Sequence, residues 1–502
     1  MQILLEADCL IQALKNMSDS VILNLCRQKR CHGWVASTSI PIILEEEGVS
    51  EKNFQSVLKD LAVLTPTAHD INLALQSDKV FAKDLAARLV EKSGLDAVVT
   101  LFPENFSNLK IDAMSPEQLR ERLNARPSPV REVRLLDITA SYHQILNKVE
   151  KEMAETIRSG HFILGPKVSR LEERIAEYCQ SKYAVGVSSG TDALLIALMA
   201  LGIGPGDEVI TSPYTFFATA GSIIRSGAKP IFVDINDVTF NIKPEHIERC
   251  ITSNTKAIIP VHLYGQCSDM DPILKLAEKN SLAIIEDAAQ AIGSRYKGKP
   301  AGSIGDMGCF SFFPAKNLGG FGDGGLVTTN SKELYERLKI IRVHGSEPKY
   351  YHNVMGGNFR LDALQADVLI AKLSFLEGWT EKRRKNAQQY HQLFKDSALT
   401  PFIQLPPEVF SGHVYNQYVI RVENRRDELR TFLNGKQIGC EIYYPIPLHL
   451  QDCFKSLGYK NGDFPESEKA AKVTLALPIS HEVDQAQQEY VVKTIQQFFL
   501  GE

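Results

Sequence analysis

From about residue 183 onward, short apolar runs alternate with segments whose apolar residues recur every three or four positions. "YAVGVSS" (183–189) predicts a strand and "GTDALLIALMALG" (190–202) the helix after it. "DEVITSP" and "TFFATAGSIIRSG" repeat that pairing, and "KPIFVDI", "TKAIIPVHLYG", "LAIIED" and "GCFSFF" add further β-rich runs. Alternation of the two periods predicts βαβ units, an α/β fold with a mainly parallel sheet under helices. From about Ser374 the pattern changes to one long polar helix, "LEGWTEKRRKNAQQYHQLF", followed by shorter mixed elements. This predicts a large domain over 135–375 and a smaller α+β domain over 376–502.

Upstream, "MSPEQLRERLNARPSPVREVR" (114–134) is charged, has little apolar periodicity and carries prolines at 116, 127 and 129. Proline disfavours helix in the residue before it. The stretch predicts a linker over 113–134, with one short helix from Pro116 to Asn124. Before it, "MQILLEADCLIQAL" and "HGWVASTSIPIILEEEG" each read as a strand turning into a helix. A helix containing Asp84 and a strand from Asp96 to Thr100 follow. Residues 1–112 therefore form a small α/β domain of their own.

Composition narrows the function. The 502 residues are 44% hydrophobic and 23% charged, as in ordinary soluble proteins. The net charge of −4 suggests neither a nucleic-acid nor a membrane partner. No apolar run approaches the ~20 residues of a membrane helix, and "MQILLEADCLI" lacks the basic start of a secretory signal. Nine scattered cysteines without a C-x-x-C pair suit reduced thiols, so a cytoplasmic protein is expected.

Four stretches carry candidate chemistry. In "SSGTDALL" (188–195) a strand ends, a small polar turn follows and a helix begins. The free N–H groups of such a first turn favour an anion, phosphate above all; the alternative is a helix capped near Thr191 or Asp192. "LAIIEDAAQAIGS" (282–294) ends an apolar strand on Glu286 and Asp287. Ligands of open α/β sheets bind at that end, where a carboxylate faces a cation or caps the next helix. "SFFPAKNLGGFGDGG" (311–325) sets one lysine, Lys316, before a glycine-dense loop. A lysine that bonds to a carbonyl carbon needs a defined yet reachable place; the alternative is a plain loop lysine. "GGNFRLDALQADVL" (356–369) puts Asn358 and Arg360 just before an amphipathic helix, to meet an anion or to cap.

Together with "GHFILGPKVSRLEE", "GPGDEVITSPYTFFATA" and "YPIPLHLQ", these stretches resemble the DegT-type aminotransferases. These are fold-type I, pyridoxal-phosphate-dependent enzymes that act on nucleotide-linked keto sugars. The resemblance runs from about Leu135 to the C-terminus. It implies that Lys316 holds pyridoxal 5'-phosphate covalently and carries protons. It implies that Asp287 pairs with the protonated pyridine nitrogen, which keeps the ring an electron acceptor. Gln290 would lie beside the phenolic oxygen and Phe216 would stack on the ring. Gly190, Thr191 and Ser311 would hold the phosphate, with Asp192 alongside. Asn358 would reach the phosphate of a neighbouring subunit, so the resemblance implies a homodimer with a shared site. Glutamate is the implied amino donor. Relatives with histidine in place of the lysine dehydrate their substrates, so Lys316 favours amino transfer. A lyase or dehydratase, and a regulatory protein without turnover, are the alternatives. His161, His344, Tyr350 and His449 stand either near the sugar or in purely structural places.

Residues 1–110 resemble a PIN domain, a small α/β nuclease fold whose carboxylates bind divalent metal. Asp8, Glu45, Asp84 and Asp96 fall at or beside its acidic positions and are the candidate metal ligands. Glu6 stands where that family has aspartate, and Leu101, Phe102 and Asn105 replace its Arg, Asn or Asp, and Asp. Two-metal hydrolysis needs several converging carboxylates. Residues 1–112 also hold 11 Lys and Arg against 15 Asp and Glu, unlike a groove for phosphates. These departures predict a non-catalytic PIN-like module; an active RNase in a bifunctional chain is the alternative.

Overall fold

The computed structural model describes residues 2–5, 32–36, 62–64, 97–99, 113–114, 132–139 and 142–501. The chain divides into two compact units, Met1–Pro129 and Val130–Glu502. In the first, strands β1 (Gln2–Leu5), β2 (His32–Ala36), β3 (Ala62–Leu64), β4 (Ala97–Val99) and β5 (Ala113–Met114) pair in parallel, in the order β3-β2-β1-β4-β5. The strands expected in "MQILL", "HGWVA" and 96–100 are β1, β2 and β4. β5 lies inside the stretch that reads as linker, because two residues leave no hydrophobic period to detect. The helix expected at 116–124 and the candidate ligands Asp8, Glu45, Asp84 and Asp96 fall outside the described residues.

The second unit is built on a seven-stranded sheet. Its strands are β6 (Tyr183–Val187), β7 (Glu208–Thr211), β8 (Lys229–Phe232), β9 (Thr255–Ile258) and β10 (Ala283–Asp287), then, after a small hairpin of β11 (Arg295–Tyr296) and β12 (Lys299–Pro300), β13 (Met307–Ser311) and β14 (Gly325–Thr329). The order is β6-β14-β13-β10-β9-β7-β8. All pairs are parallel except those of β14, which runs antiparallel to both β13 and β6. β14 is the strand that the pattern does not announce, since "GLVTT" follows directly on the glycine-rich loop.

The period of two along the strands sorts the core. Helix α1 (Tyr142–Ser159) and helix α2 (Pro166–Tyr178) precede the sheet, and α2 packs Leu171 and Ile175 with Ile284, Phe310 and Leu326. On the other face, helix α3 (Gly190–Ala200) packs Leu194, Ile196 and Ala197 with Ile285, Cys309 and Val327. Asp287 shares the face of Ile285, the α3 side, and Glu286 takes the opposite one. Helices α4 (Ala218–Arg225), α5 (Met270–Asn280), α6 (Lys332–Ile341) and α7 (Ala363–Leu373) complete the large domain.

A second core follows the long helix α8 (Leu376–Lys395), which stands where the polar pattern predicts a helix. Its antiparallel sheet of β15 (Ile403–Gln404), β16 (Tyr418–Val422) and β17 (Thr474–Leu477) shares a core with α8 and with two further helices, Arg426–Gly435 and Gln485–Leu500. Val133, in the stretch read as linker, is fully buried in this same core. It bridges Ile438, with its N–H on the Gln437 carbonyl at 2.8 Å and its carbonyl accepting from Gly439 N at 2.8 Å. A chain of residues 130–502 should therefore fold alone, whereas one starting at Leu135 should melt several degrees lower. Val133→Ala in the full chain should cost roughly 2 kcal/mol, read by denaturant unfolding.

Candidate active site

The carboxyl ends of β10 and β13, the start of α3 and the loop after β13 bring the predicted residues to one region. Asp287 ends β10 with 5% of its surface exposed. Thr219 Oγ1 donates to its Oδ2 at 2.8 Å, and Ala289 N to its Oδ1 at a longer 3.3 Å. The single Thr219 proton is used there, so Thr215 Oγ1, 3.0 Å away, is the donor to Thr219. Burial pushes the Asp287 carboxyl above its ordinary range; the Thr219 hydroxyl, the Ala289 amide and the Lys316 charge pull the other way.

Lys316 is half-buried and follows β13 by one turn, its N–H on the Phe313 carbonyl at 2.8 Å. Loss of water lowers its amine from 10.5 to about 8, against the opposing pull of Asp287. Among the described residues no hydrogen bond reaches its Nζ. Its neighbour Asn317 is tied by Nδ2 to the Val414 carbonyl at 3.1 Å.

The turn before α3 leaves backbone donors unpaired. Ser189 caps the helix, its Oγ accepting from Asp192 N at 3.0 Å. The Asp192 carboxylate turns back to accept from the Ser188 and Ser189 hydroxyls at 2.7 and 2.9 Å. The N–H groups of Gly190 and Thr191 then have no partner among the described residues, which is what an anion at a helix start needs. Gly190 lies against Ser311: a Cβ there would stand 2.6 Å from the Ser311 Cβ. That contact brings the Ser311 hydroxyl to the same turn.

Gln290 is buried, with Oε1 accepting from Tyr264 N at 2.6 Å and Nε2 donating to Tyr444 Oη at 3.1 Å. This fixes the amide's orientation and leaves the Tyr444 proton and the second Nε2 proton free to donate. Phe216 is 56% exposed, its ring centroid 6.0 Å from that of Tyr444, so it offers a bare aromatic face beside Gln290's partner. Asn358 is exposed, in a segment that lies along the end of β6: Phe359 O accepts from Ser188 N at 3.0 Å. His449 is buried and hydrogen-bonded to Glu468 at 3.1 Å, a structural place. His161, His344 and Tyr350 are exposed.

Sequence reasoning gives no role to Thr215, Thr219, Tyr264 or Tyr444. The two threonines stand four apart at a helix start in "YTFFATA", and Tyr444 opens "YPIPLHLQ"; both motifs signal the site, but not which hydroxyl points inward. The residues present fit pyridoxal phosphate: unpaired amides for the phosphate, a flat apolar ring, an under-coordinated buried carboxylate for the pyridinium, and an amine of low basicity for the carbonyl carbon.

The DegT/DnrJ/EryC1/StrS aminotransferase family matches residues 143–496. The chain is 52% identical over 368 residues to the pleiotropic regulatory protein of Geobacillus stearothermophilus, covering 73% of this chain and 98% of that one. It is 41% identical over 355 residues to the UDP-2-acetamido-2-deoxy-3-oxo-D-glucuronate aminotransferase of Pseudomonas aeruginosa, covering 70% and 97%. Among solved structures, S. venezuelae DesV superposes with a TM-score of 0.71 at 39% identity, over 73% of this chain and 98% of that one. NtdA of Bacillus subtilis with bound cofactor PMP gives a TM-score of 0.70 at 28% identity, over 88% and 95%.

An amine attacks a carbonyl only when neutral, and that of Lys316 is protonated below its pKa. The rate at which cofactor-free protein binds pyridoxal phosphate covalently should therefore rise with pH around a midpoint of about 8. A midpoint near 10.5, followed by absorbance, would place the reacting amine in water instead. With the fold, the anion turn, Asp287 and Lys316 in one region, and with the match running over residues 143–496, the chain belongs to the DegT/DnrJ/EryC1/StrS aminotransferase family.

Proposed function

We propose that this chain moves an amino group from glutamate to the keto carbon of a nucleotide-linked sugar, with pyridoxal phosphate held on Lys316. The observation that carries the reading is the pairing at the sheet end of a buried, under-coordinated Asp287 with a Lys316 amine of about 8. Bound pyridoxal phosphate supplies an electron sink for the carbon that loses its proton. Asp287 supplies the negative charge that holds such a ring cationic, with Thr215 and Thr219 fixing its direction. The Lys316 amine, lowered to about 8 and so partly neutral at physiological pH, takes the proton from the donor's α-carbon and returns it to the carbon on the other side of the nitrogen. Gly190 N, Thr191 N and the Ser311 hydroxyl anchor the phosphate. Phe216 holds the ring plane, and the free protons of Gln290 Nε2 and Tyr444 Oη serve an oxygen on the ring edge.

Two relatives support the substrate class. The Pseudomonas aeruginosa protein is named for a UDP-linked keto sugar, and one from Streptomyces venezuelae, 39% identical over 369 residues, for a dTDP-linked amino sugar. The Geobacillus relative has a regulatory name. The complete set of Lys316, Asp287 and Gln290 nevertheless favours turnover in this chain, and lysine at position 316 favours amino transfer over dehydration. Exposed Asn358, beside the anion turn's own strand, fits a homodimer in which it reaches the partner's phosphate. The N-terminal unit reads best as a non-catalytic PIN-like module, supported by its five parallel strands and by the acidic positions it lacks. Reduced cysteines fit a cytoplasmic protein: the six in described positions are all free.

Purified protein should be yellow with cofactor, bleach with glutamate, and aminate at least one member of a panel of UDP- and dTDP-linked keto sugars. Lys316→Ala should lose more than the ~10²–10⁴-fold that one acid–base group contributes. Asp287→Asn should keep the cofactor while turnover drops by orders of magnitude; turnover at the parental rate in either variant would overturn the assignment.

A further inference from the structure

The loop that carries Lys316 is closed on itself. Phe312 N donates to the Gly324 carbonyl at 2.8 Å, and Gly320 N to the Phe312 carbonyl at 2.7 Å. One helix, α7, holds it from outside at two points. Lys372, near the end of α7, is 7% exposed and places Nζ 2.5 Å from the Gly319 carbonyl oxygen. The same Nζ stands 5.6 Å from the centroid of the Phe321 ring. Two turns earlier, Gln365 Oε1 accepts from Phe321 N at 2.9 Å. A Cβ at Gly320 would lie 2.7 Å from that Oε1, so the loop backbone rests directly on the glutamine amide. Residues seven apart on a helix share a face, about 10.5 Å from one another. One face of α7 thus grips both sides of the tip, at Gly319 and at Phe321.

A lysine in such a place is costly to stability. Burial lowers its amine to about 8, and the one hydrogen bond that it makes is to a backbone carbonyl. An apolar residue would fill the space with no charge to desolvate. The Gly319 carbonyl, itself buried, would then lose its donor. What the lysine secures is the course of the backbone three residues after Lys316.

We propose that Lys372 is a positioning residue for Lys316: by fixing the Gly319 carbonyl, with Gln365 fixing Phe321 N, it holds the loop so that the Lys316 amine returns to one place each time it has let go of the cofactor's carbon. The inference rests on the reading of Lys316 as the cofactor-bearing lysine. In transamination that amine lets go of the cofactor in the first half-reaction and bonds to it again in the second. A loop free to drift would misplace it by about an ångström, which costs on the order of 10- to 100-fold in rate.

The test uses the full chain loaded with pyridoxal phosphate. Borohydride reduction and peptide mapping of the parent first identify the lysine that carries the cofactor. Stopped-flow absorbance then follows the half-reaction with saturating glutamate in Lys372→Met, Lys372→Arg and Gln365→Leu, with circular dichroism to verify folding. Lys372→Met should slow the half-reaction about 10- to 100-fold with the glutamate KM within about twofold. Lys372→Arg, which keeps a donor, should recover most of the rate, and Gln365→Leu should slow it in the same direction. A folded Lys372→Met with the parental rate, or a slow Lys372→Met that arginine does not rescue, would overturn the proposal. If Lys372→Met does not fold, Gln365→Leu decides: a slowed half-reaction supports the grip, a parental rate removes it. Label on a lysine other than Lys316 in the parent would bring down the reading of Lys316 and this inference together. Label on Lys316 with unaltered rates in the variants would bring down the grip alone.

Discussion

Two carboxylates stand side by side at the end of β10, both out of water, and the second unit is arranged around that fact. Burying an anion without partners is far costlier than burying a neutral group. Glu286, with no exposed surface, accepts from the amides of Gly302, Ile304 and Gly305 at 2.7–2.8 Å and from His262 Nε2 at 2.9 Å. Ser268 N donates to His262 Nδ1, so the ring's proton sits on Nε2, toward Glu286. That carboxylate is saturated by the protein alone. Asp287, on the opposite face, has one good donor and one long one. The contrast between neighbours of the same charge leaves Asp287 as the one with acceptor capacity to spare.

The anion turn works by the complementary rule. Asp192 and Ser189 satisfy each other and so remove one helix-start amide and one carboxylate from competition. The amides of Gly190 and Thr191 remain without a partner among the described residues. The turn also depends on β14, the strand that runs against its neighbours. Gly325 opens β14 beneath Ser189, where a Cβ would lie 2.3 Å from the Ser189 carbonyl oxygen. Only glycine lets strand and turn meet that closely.

Much of this is legible in the chain. The strands ending at Val187, Asp287 and Ser311, the helix at 190 and the long helix after Ser374 follow from hydrophobic period; Asp287 and Lys316 stand at their ends as candidates, and only the family resemblance gives them roles. What the sequence hides has a physical reason in each case. β5 is too short to show a period. β14 is masked by the glycines before it, and Val133 by the prolines before it. Thr219 and Tyr444 are ordinary hydroxyl residues until the fold turns them inward, and Lys372 reads as one more polar position on an amphipathic helix. Side chains that act through another residue leave no motif of their own; they emerge only when distances are known.

The pairing of Val133 with Gln437, Ile438 and Gly439 joins segments some three hundred residues apart in the chain. Contacts so distant in sequence form late, because the entropy of closing the loop comes before any gain. A ribosome releases the segment at 133 long before residue 438 exists. The large domain, whose sheet needs only residues 183–329, can close in the interval, while the buried valine waits for its partners. The smaller domain is then the last part of this unit to be completed during synthesis, and until it is, the waiting apolar segment is the part of the nascent chain that a chaperone would have reason to cover.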